Sequence, residues 1–300
     1  MQIEKHATRW AVTVPLAWGA SYMFMKFGLA GVPPLTLVAL RCGLAFLLTA
    51  VIFARRLAKV NALTLKYSAI AGALLAVVFL GLMYGVLGTS VSAAGFLTST
   101  TVVIVPLLQG LFFHKYPALK TILGVGVVTL GLFLITGGSL AGLNLGALCC
   151  LASAFFYALH IIFCKKFVSQ VDAISLGVCQ LGFAALWSLL LAFWLEVPVL
   201  PQTALEWGGV LGLALICSAY GFVMQALVQA YVTPECTGFL FSLEPVFSAC
   251  FAFIFLHESL PALGYAGAGL IFMGVLLANA PAPAFNFRWV AMRVLAHGQK

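Results

Sequence analysis

The sequence predicts an all-α integral membrane protein with ten transmembrane helices, arranged as two inverted five-helix repeats. Three observations predict this fold: the apolar composition, the number of long apolar runs, and a repeat that relates the two halves. Of the 300 residues, 64% are hydrophobic and 7% are charged, whereas a soluble protein carries about 25% charged residues. A chain with this few charged residues cannot cover its surface as a soluble protein does. Most of its surface must therefore face membrane lipid.

Ten apolar runs have the length of about 20 residues that a helix needs to cross a bilayer. They cover approximately residues 8–30, 34–54, 66–88, 91–113, 118–138, 144–165, 173–195, 206–230, 235–256 and 261–280. Short segments with turn residues separate them, such as GVPP at 31–34 and VTPE at 232–235. Barrel strands are excluded because the runs are too long and do not alternate between apolar and polar residues.

The Lys and Arg residues predict the orientation of the chain. If the N-terminus is cytoplasmic, the inner segments hold 13 of the 15 basic residues, and the other two, Lys26 and Arg41, lie inside the first two spans. Cytoplasmic loops carry an excess of such residues. We therefore expect a multi-pass protein of the plasma (bacterial inner) membrane with both termini cytoplasmic. Residues 281–300 would form a cytoplasmic tail, either along the inner surface or disordered. Topology explains the net charge of +8, so nucleic acid is not an expected partner.

The second half of the chain repeats the first half. A shift of 143 residues aligns 11 identical residues, where shared apolar composition would give roughly four. Among them, Gly95, Phe96, Ser99, Gly124 and Gly131 fall on Gly238, Phe239, Ser242, Gly267 and Gly274. Nearer the start of each half, the offset that places Trp18 on Tyr157 also places Lys26 on Lys165. The predicted repeats cover residues 8–138 and 144–280.

An odd number of spans in each repeat makes the second repeat enter the membrane from the opposite side. Many secondary transporters are built from such inverted repeats, with the substrate site near the midplane between the halves. The seven-residue spacings from Gly124 to Gly131 and from Gly267 to Gly274 place each pair on one helix face. Small residues on one face allow close helix contact, so we expect the fifth and tenth helices to support the bundle.

Two segments resemble a known transporter family. The segment WGASYMFMKFGLAGVPPLTLVALRCGLAFLL (18–48) is similar to the first two helices of an EamA domain. The segment FLFSLEPVFSACFAFIFLHESLPALGYAGAGLIFMGVLLA (239–278) is similar to the last two helices of a second one. The chain thus resembles the drug/metabolite transporter superfamily over residues 8–280. This resemblance implies ten helices in inverted repeats and movement of small metabolites, often outward. The last hairpin departs from the family's Gly-Glu pattern, with His257 before Glu258.

Glu244 is an acidic residue deep inside an apolar run, about ten residues into the ninth span and near the middle of a ~30 Å hydrocarbon core. A carboxylate there costs at least ~2.5–3.5 kcal/mol, so we expect it to be protonated, paired or in contact with a wet cavity. Two roles remain open. One is contact with a substrate amine or exchange of a proton. The other is a structural hydrogen bond to a neighbouring helix or to the carbonyl freed by Pro245.

Other polar residues within the spans are candidates for a substrate site. Thr101 is the mirror of Glu244 and ends a run of four hydroxyl residues that begins at Thr98. Arg41 lies about seven residues from the outer end of the second span, where it can clamp a carboxylate or snorkel to the interface. Lys26 lies nearer its helix end and is expected to snorkel. His160 is a candidate for proton coupling or for a neutral hydrogen bond to a neighbouring helix.

Aromatic and amide side chains complete the predicted site. As a group they suit an amphipathic organic solute, although aromatic residues inside a span can also serve only as packing. The candidates are Trp18, Ser21, Tyr22, Tyr157, Tyr220 and Gln225.

The sequence lacks the motifs of the common enzyme classes. It has no HExxH, no nucleophile elbow and no phosphate-binding GxxxxGK[ST]. The eight cysteines lie in apolar runs without metal-ligand spacing and are interpreted as small hydrophobic residues. We therefore expect no enzymatic activity, no cofactor and no metal, with gradients or exchange as the energy source.

The leading functional hypothesis is a secondary transporter of a small organic metabolite, working by export or exchange. An amino acid or related zwitterion fits the opposite charges of Glu244 and Arg41, and protons are a candidate coupling ion. The alternatives are a transporter of nucleosides, nucleobases or cationic drugs, and a non-transporting membrane scaffold.

Overall fold

The computed structural model describes residues 13–113, 119–135, 144–222, 224 and 243–279, and this part of the chain contains helices and no strands. Ten helical segments, α1 to α10, correspond to the ten predicted spans. They are α1 Thr13–Gly28, α2 Pro34–Ile52, α3 Ala62–Gly88, α4 Val91–Ser99 continued by Thr101–Phe113, α5 Leu119–Ile135, α6 Leu145–Phe167, α7 Ala173–Leu195, α8 Ala204–Leu211 continued by Gly212–Tyr220, α9 Glu244–Leu256 and α10 Ala262–Asn279. The predicted all-α membrane fold is confirmed.

Five of these helices are long and apolar enough to cross a membrane: α2, α3, α4, α6 and α7. Four more, α5, α8, α9 and α10, are shorter apolar helices. Helix α3 begins at Ala62, earlier than predicted, because the Asn61 side chain accepts a hydrogen bond from the backbone N–H of Thr64. This N-cap satisfies one of the backbone donors that a helix start leaves unpaired.

The helix contacts follow a two-fold exchange that replaces α1–α5 by α6–α10. Under this exchange, the α1–α9 contact corresponds to the α6–α4 contact. In the same way, α3–α6 corresponds to α8–α1, and α2–α8 corresponds to α7–α3. The pairs α2–α7, α4–α9 and α5–α10 are exchanged with themselves. This is the pattern that inverted repeats predict.

The pair α2–α7 shows the inverted symmetry at the level of single residues. The offset that aligns Trp18 with Tyr157 also maps Gly43 on Gly182 and Phe46 on Ala185. A Cβ atom built on Gly43 would lie 3.7 Å from the Cβ of Ala185, and one built on Gly182 would lie 3.0 Å from the Phe46 ring. The same contact therefore occurs twice, once on each side of the pseudo-symmetry axis.

The two ends of the bundle differ in charge. At one end, which we call the carboxylate end, lie Glu196, Glu206 and Glu258. The backbone N–H groups of Leu35 and Thr36, at the start of α2, donate to Glu196 over 3.0 and 3.2 Å. A carboxylate at a helix N-terminus is stabilised by the exposed N–H groups and the helix dipole. Because Glu196 directly follows α7, the helices α2 and α7 are antiparallel.

The opposite end, which we call the basic end, carries most of the described cations, namely Arg55, Arg56, Lys59, Lys66, Lys120 and Lys166. Here the Arg56 guanidinium donates to Asp172 over 3.1 Å, and Asp172 also caps the start of α7 through Ser175. Burial raises the pKa of the Asp172 carboxyl. The hydrogen bonds from Ser175 and the charge of Arg56 outweigh that effect and bring the pKa below its usual value. Asp172 is therefore ionised at neutral pH and joins the two halves at this end.

Helices α5 and α10 cross with almost no side chain between them. A Cβ built on Gly131 would lie 2.7 Å from the carbonyl oxygen of Gly267, and one built on Gly274 would lie 2.9 Å from that of Gly124. These are the four glycines whose spacing predicts a small-residue face. Such a close approach of backbones is the usual basis of helix association in lipid.

We expect Gly131→Ala to destabilise the protein by about 1–3 kcal/mol, because the added methyl group would overlap the backbone of α10. Gly126→Ala, on the same helix, is the matched control, since a Cβ at Gly126 meets nothing within 4 Å. Thermal unfolding of the purified protein in one detergent compares the two variants. Equal melting temperatures would contradict the α5–α10 contact.

Candidate functional site

Three helices from both halves bring polar side chains to one point inside the bundle. The Tyr22 hydroxyl of α1 donates to Oε1 of Glu244 on α9 over 3.0 Å. The same hydroxyl forms a short hydrogen bond with Thr98 of α4. Tyr22 is 1% exposed, so this network lies inside the protein. We call Tyr22, Thr98 and Glu244 the central triad.

The central triad lies well inside the helix bundle, away from its carboxylate end. Thr98 is about 10 Å along the helix axis from the start of α4, and Glu244 about 18 Å along α9 from its end at Leu256. Both of those ends belong to the carboxylate end, and a hydrocarbon core is about 30 Å thick. The position of Glu244 near the middle of the bilayer stays a prediction.

Glu244 is the first residue of α9, and Pro245 follows in the first turn. Proline is tolerated at this position because the N–H that it lacks has no partner within the helix. The sequence prediction instead places both residues inside a longer ninth span, with Pro245 displacing the carbonyl of Phe241. Phe241 lies outside the described residues. A carboxylate in the first turn is also favoured by the helix dipole.

Two glycines allow the three helices of the central triad to meet. A Cβ on Gly19 of α1 would lie 2.6 Å from the Cβ of Phe247, and one on Gly95 of α4 would lie 2.6 Å from Oγ of Ser248. Ser248 also donates to the backbone carbonyl of Val91 over 3.2 Å. Helices α1 and α4 therefore approach α9 closely enough for Tyr22 and Thr98 to reach Glu244.

Arg41 of α2 is a second buried polar side chain. Its side chain is 2% exposed, and its Nε and Nη2 donate to Oγ of Ser218 over 3.2 and 3.1 Å. The guanidinium carbon lies 3.9 Å from the ring centroid of Phe79. Nη1 has no hydrogen-bond partner among the described residues. Arg41 thus bonds a side chain of α8, whereas the snorkelling alternative places its charge at the outer interface.

The second part of α8, Gly212–Tyr220, is π-helical. In this segment the Cys217 carbonyl accepts a hydrogen bond from Nε1 of Trp18 over 3.1 Å, and Ser218 accepts those of Arg41. A π-helical turn is rare and occurs frequently at functional sites. It ties α8 to both α1 and α2 beside the central triad.

A series of contacts connects Arg41 with Glu244. Arg41 bonds Ser218, and the carbonyl of the adjacent Cys217 accepts from Trp18. Trp18 lies one helical turn before Tyr22, which donates to Glu244. No ion pair joins Arg41 to Glu244 in the described part of the chain, so the two side chains are linked only through α1 and α8.

Comparison with known proteins identifies the family. The EamA-like transporter family matches residues 7–137 and again residues 144–280. The chain belongs to the EamA-like transporter family. The predicted resemblance is thereby confirmed.

The relatives of this EamA-like transporter are themselves described only as transporters. The uncharacterized transporter YvbV of Bacillus subtilis (strain 168) is 27% identical over 283 residues, or 90% of each chain. YoaV of the same organism, also an uncharacterized transporter, is 23% identical, with 89% of this chain and 94% of YoaV covered. An uncharacterized transporter of Archaeoglobus fulgidus is 28% identical over 211 residues, which is 67% of this chain and 65% of that protein.

A solved structure titled "Crystal structure of protein" superposes with a TM-score of 0.66 at 16% identity, covering 97% of this chain and 99% of the other. This likeness supports the fold of the EamA-like transporter.

The other predicted site residues lie at several places in the EamA-like transporter. Thr101 is buried and donates to the carbonyl of Ala154 over 3.1 Å, which joins α4 to α6. Tyr220 shares a 2.7 Å hydrogen bond with Thr13, at the start of α1. Ser21 is buried on α1. Gln225 lies outside the described residues.

His160 is buried between α6 and α7 of the EamA-like transporter. Its Nε2 lies 2.9 Å from Oε1 of Gln180, and its ring stacks on Tyr157 with 5.8 Å between centroids. This placement fits the alternative of a hydrogen bond to a neighbouring helix. Among the described residues, no group of three His, Cys, Asp or Glu side chains could hold a metal ion.

The sequence does not single out three residues of the site. Thr98 is one of four adjacent hydroxyl residues, and nothing in the sequence selects it over its neighbours. Ser218 and Phe79 lie in apolar runs with no distinguishing pattern. Their roles depend on which helix faces them, and a single sequence does not contain that information.

The unpartnered Nη1 gives a stability prediction for Arg41. A buried charge without a full set of partners destabilises the folded state, and an apolar replacement of similar length is often neutral or stabilising. We expect Arg41→Met to keep the melting temperature of the ligand-free protein or raise it by about 2–4 °C.

Gln180→Met is the matched control, because Gln180 occupies the position in α7 that corresponds to Arg41 in α2 under the alignment of Gly43 with Gly182. The Gln180 side chain forms a buried hydrogen bond with His160. Because Gln180→Met removes this bond, the variant should have a lower melting temperature. A fall of more than about 5 °C for Arg41→Met would mean that the guanidinium is a fully paired structural element.

Proposed function

We propose that this EamA-like transporter is a secondary transporter of a small organic metabolite in the plasma (bacterial inner) membrane, and that its cargo is an amino acid or related zwitterion. It works by alternating access, in export or exchange, and catalyses no covalent chemistry. The observation that carries the proposal is the Glu244 carboxylate at the crossing of helices from both halves, with the buried Arg41 guanidinium nearby.

The charge inventory supports a zwitterionic cargo. The described part of the chain holds five acidic residues: Asp172, Glu196, Glu206, Glu244 and Glu258. All but Glu244 bond to groups at the two ends of the bundle. Arg41 therefore has no carboxylate partner there, and a ligand carboxylate on Nη1 would supply one. A ligand amine would bond Glu244 in the same way.

The architecture supports alternating access. Two repeats, proposed to cover residues 8–138 and 144–280, can form two similar conformations that are open to opposite sides. Glu244 lies between them, and the exchange of helix contacts described above relates them. Protons are the proposed coupling ion, with Glu244 and His160 as the groups that would carry them.

The charge distribution supports the proposed topology. Most of the described basic residues lie at the basic end of the bundle, and Glu196, Glu206 and Glu258 lie at the other end. Because positive residues favour the cytoplasm, we place the basic end, both termini and the tail at 281–300 inside. The carboxylate end then faces outward.

The alternative cargo is a nucleoside, a nucleobase or a cationic drug. The central triad favours the cationic drug among these, because a carboxylate beside buried aromatic residues suits a flat cation. This alternative assigns no ligand contact to Arg41, so the two cargo classes differ in their dependence on that residue.

Flux of labelled amino acids into proteoliposomes, with and without a pH gradient, tests the proposal. We expect Glu244→Gln and Tyr22→Phe each to lower flux about tenfold or more, since each removes a buried hydrogen bond to a charged group. Arg41→Met should abolish competition by free amino acids but not by their amides.

Thr98→Val and Thr100→Val form a matched pair. Both hydroxyls bond back to a carbonyl of α4, but only Thr98 also reaches Tyr22 among the described contacts. We expect Thr98→Val to lower flux and Thr100→Val to leave it near wild type. The absence of flux for every amino acid and related zwitterion tested would contradict the proposal.

A further inference from the structure

Glu258 joins three segments at the carboxylate end of the bundle. It lies in the connection after α9, and one carboxylate oxygen forms a short ion pair with the Lys26 ammonium near the end of α1. The other oxygen accepts a 2.9 Å hydrogen bond from the backbone N–H of Val91, the first residue of α4. The second half of the chain is thereby tied to two helices of the first half. The Lys26 side chain, which the sequence predicts to snorkel, extends to the carboxylate end and is paired there with Glu258.

The end of α9 directs Glu258 toward these partners. His257 adopts a left-handed conformation with φ 53°, and it is the only non-glycine residue with positive φ in the described part of the chain. The backbone N–H of Glu258 then bonds back to the carbonyl of Ala252 over 3.2 Å. This motif ends many helices, usually with glycine at the left-handed position. Here it turns the chain so that Glu258 faces the start of α4.

The same three helices form the central triad. Lys26 lies one helical turn beyond Tyr22 on α1, and Val91 lies two turns before Thr98 on α4. Between these two sets of residues, Ser248 donates to the Val91 carbonyl and packs against Gly95. The Lys26–Glu258–Val91 contact thus lies at the carboxylate end, one to two helical turns from the central triad.

The strength of this contact suits a reversible closure. The Lys26 side chain is 45% exposed and that of Glu258 17%. The half-exposed ammonium contributes little, as surface ion pairs do. The charged hydrogen bond that Glu258 accepts from the backbone N–H of Val91 contributes more, since such bonds are stronger than neutral ones. Breaking it requires only that the α9–α10 connection move away from α4.

We propose that Lys26, Glu258 and the N-terminus of α4 form a latch that holds the carboxylate end closed, and that the latch opens when cargo passes through this end. A ligand or mutation that favours the open conformation then shifts the population of the two states. The proposal goes beyond the proposed function and does not depend on the identity of the cargo.

A cysteine between the latch and the central triad reports its opening. Ala94 of α4 is fully buried and lies one turn beyond Val91 and one turn before Thr98. Ala94→Cys in lipid nanodiscs would be labelled with a water-soluble maleimide, with the parent chain and its native cysteines as background. Nanodiscs expose both faces and the assay needs no cargo, so failure of the latch and failure of the proposed function are distinguishable.

We expect Glu258→Gln to raise the labelling rate of Ala94→Cys about tenfold, because a charged hydrogen bond is lost. Lys26→Met should raise it by about twofold to threefold, as expected for an exposed ion pair. Glu196→Gln is the matched control, since Glu196 also accepts from a helix N-terminus at the same end but contacts α2. It should leave the rate unchanged.

Labelling that is insensitive to Glu258→Gln would overturn the latch, and so would an equal increase with Glu196→Gln. If Glu258→Gln does not yield folded protein, Lys26→Glu provides the same test, because it sets like charges against each other without changing the α9–α10 connection. A higher labelling rate then supports the latch, and an unchanged rate overturns it.

Discussion

The hydrogen bond from Tyr22 to Glu244 is the interaction on which the rest of the interior depends. An ionised carboxylate inside a bilayer is costly unless it is paired or hydrated, so Glu244 requires a donor at its own depth. Tyr22 supplies one from α1, and Thr98 fixes the Tyr22 hydroxyl from α4. Because α9 belongs to the second half and α1 and α4 to the first, the requirement of one carboxylate joins the two halves.

That requirement sets the packing around the site. A tyrosine hydroxyl reaches a carboxylate on another helix only when the backbones are close, which explains the contacts of Gly19 and Gly95 with α9. Arg41 is a buried basic residue whose partners are Ser218 and Phe79. Its Nη1 has no hydrogen-bond partner among the described residues. Its incomplete pairing is a cost in stability, and in the proposed function a ligand carboxylate would complete it.

The sequence contains most of the architecture but little of the contact geometry. Apolar runs give the helices, and the two internal alignments give the inverted halves, because symmetric packing repeats the same small residues. Glu244 stands out since a charge in an apolar run has few explanations. By contrast, the pairing of Lys26 with Glu258 joins residues 232 positions apart, and no local pattern indicates which helix ends meet. The same holds for Ser218, whose place beside Arg41 depends on a π-helical turn.

A double-mutant cycle on Tyr22 and Glu244 tests the central claim most directly. Unfolding free energies would be measured in one detergent for wild type, Tyr22→Phe, Glu244→Gln and the double variant. If the two side chains interact as described, the double variant should differ from the sum of the single changes by about 0.5–3 kcal/mol. Additive changes would contradict the account, because they would mean that Glu244 is held by some other group.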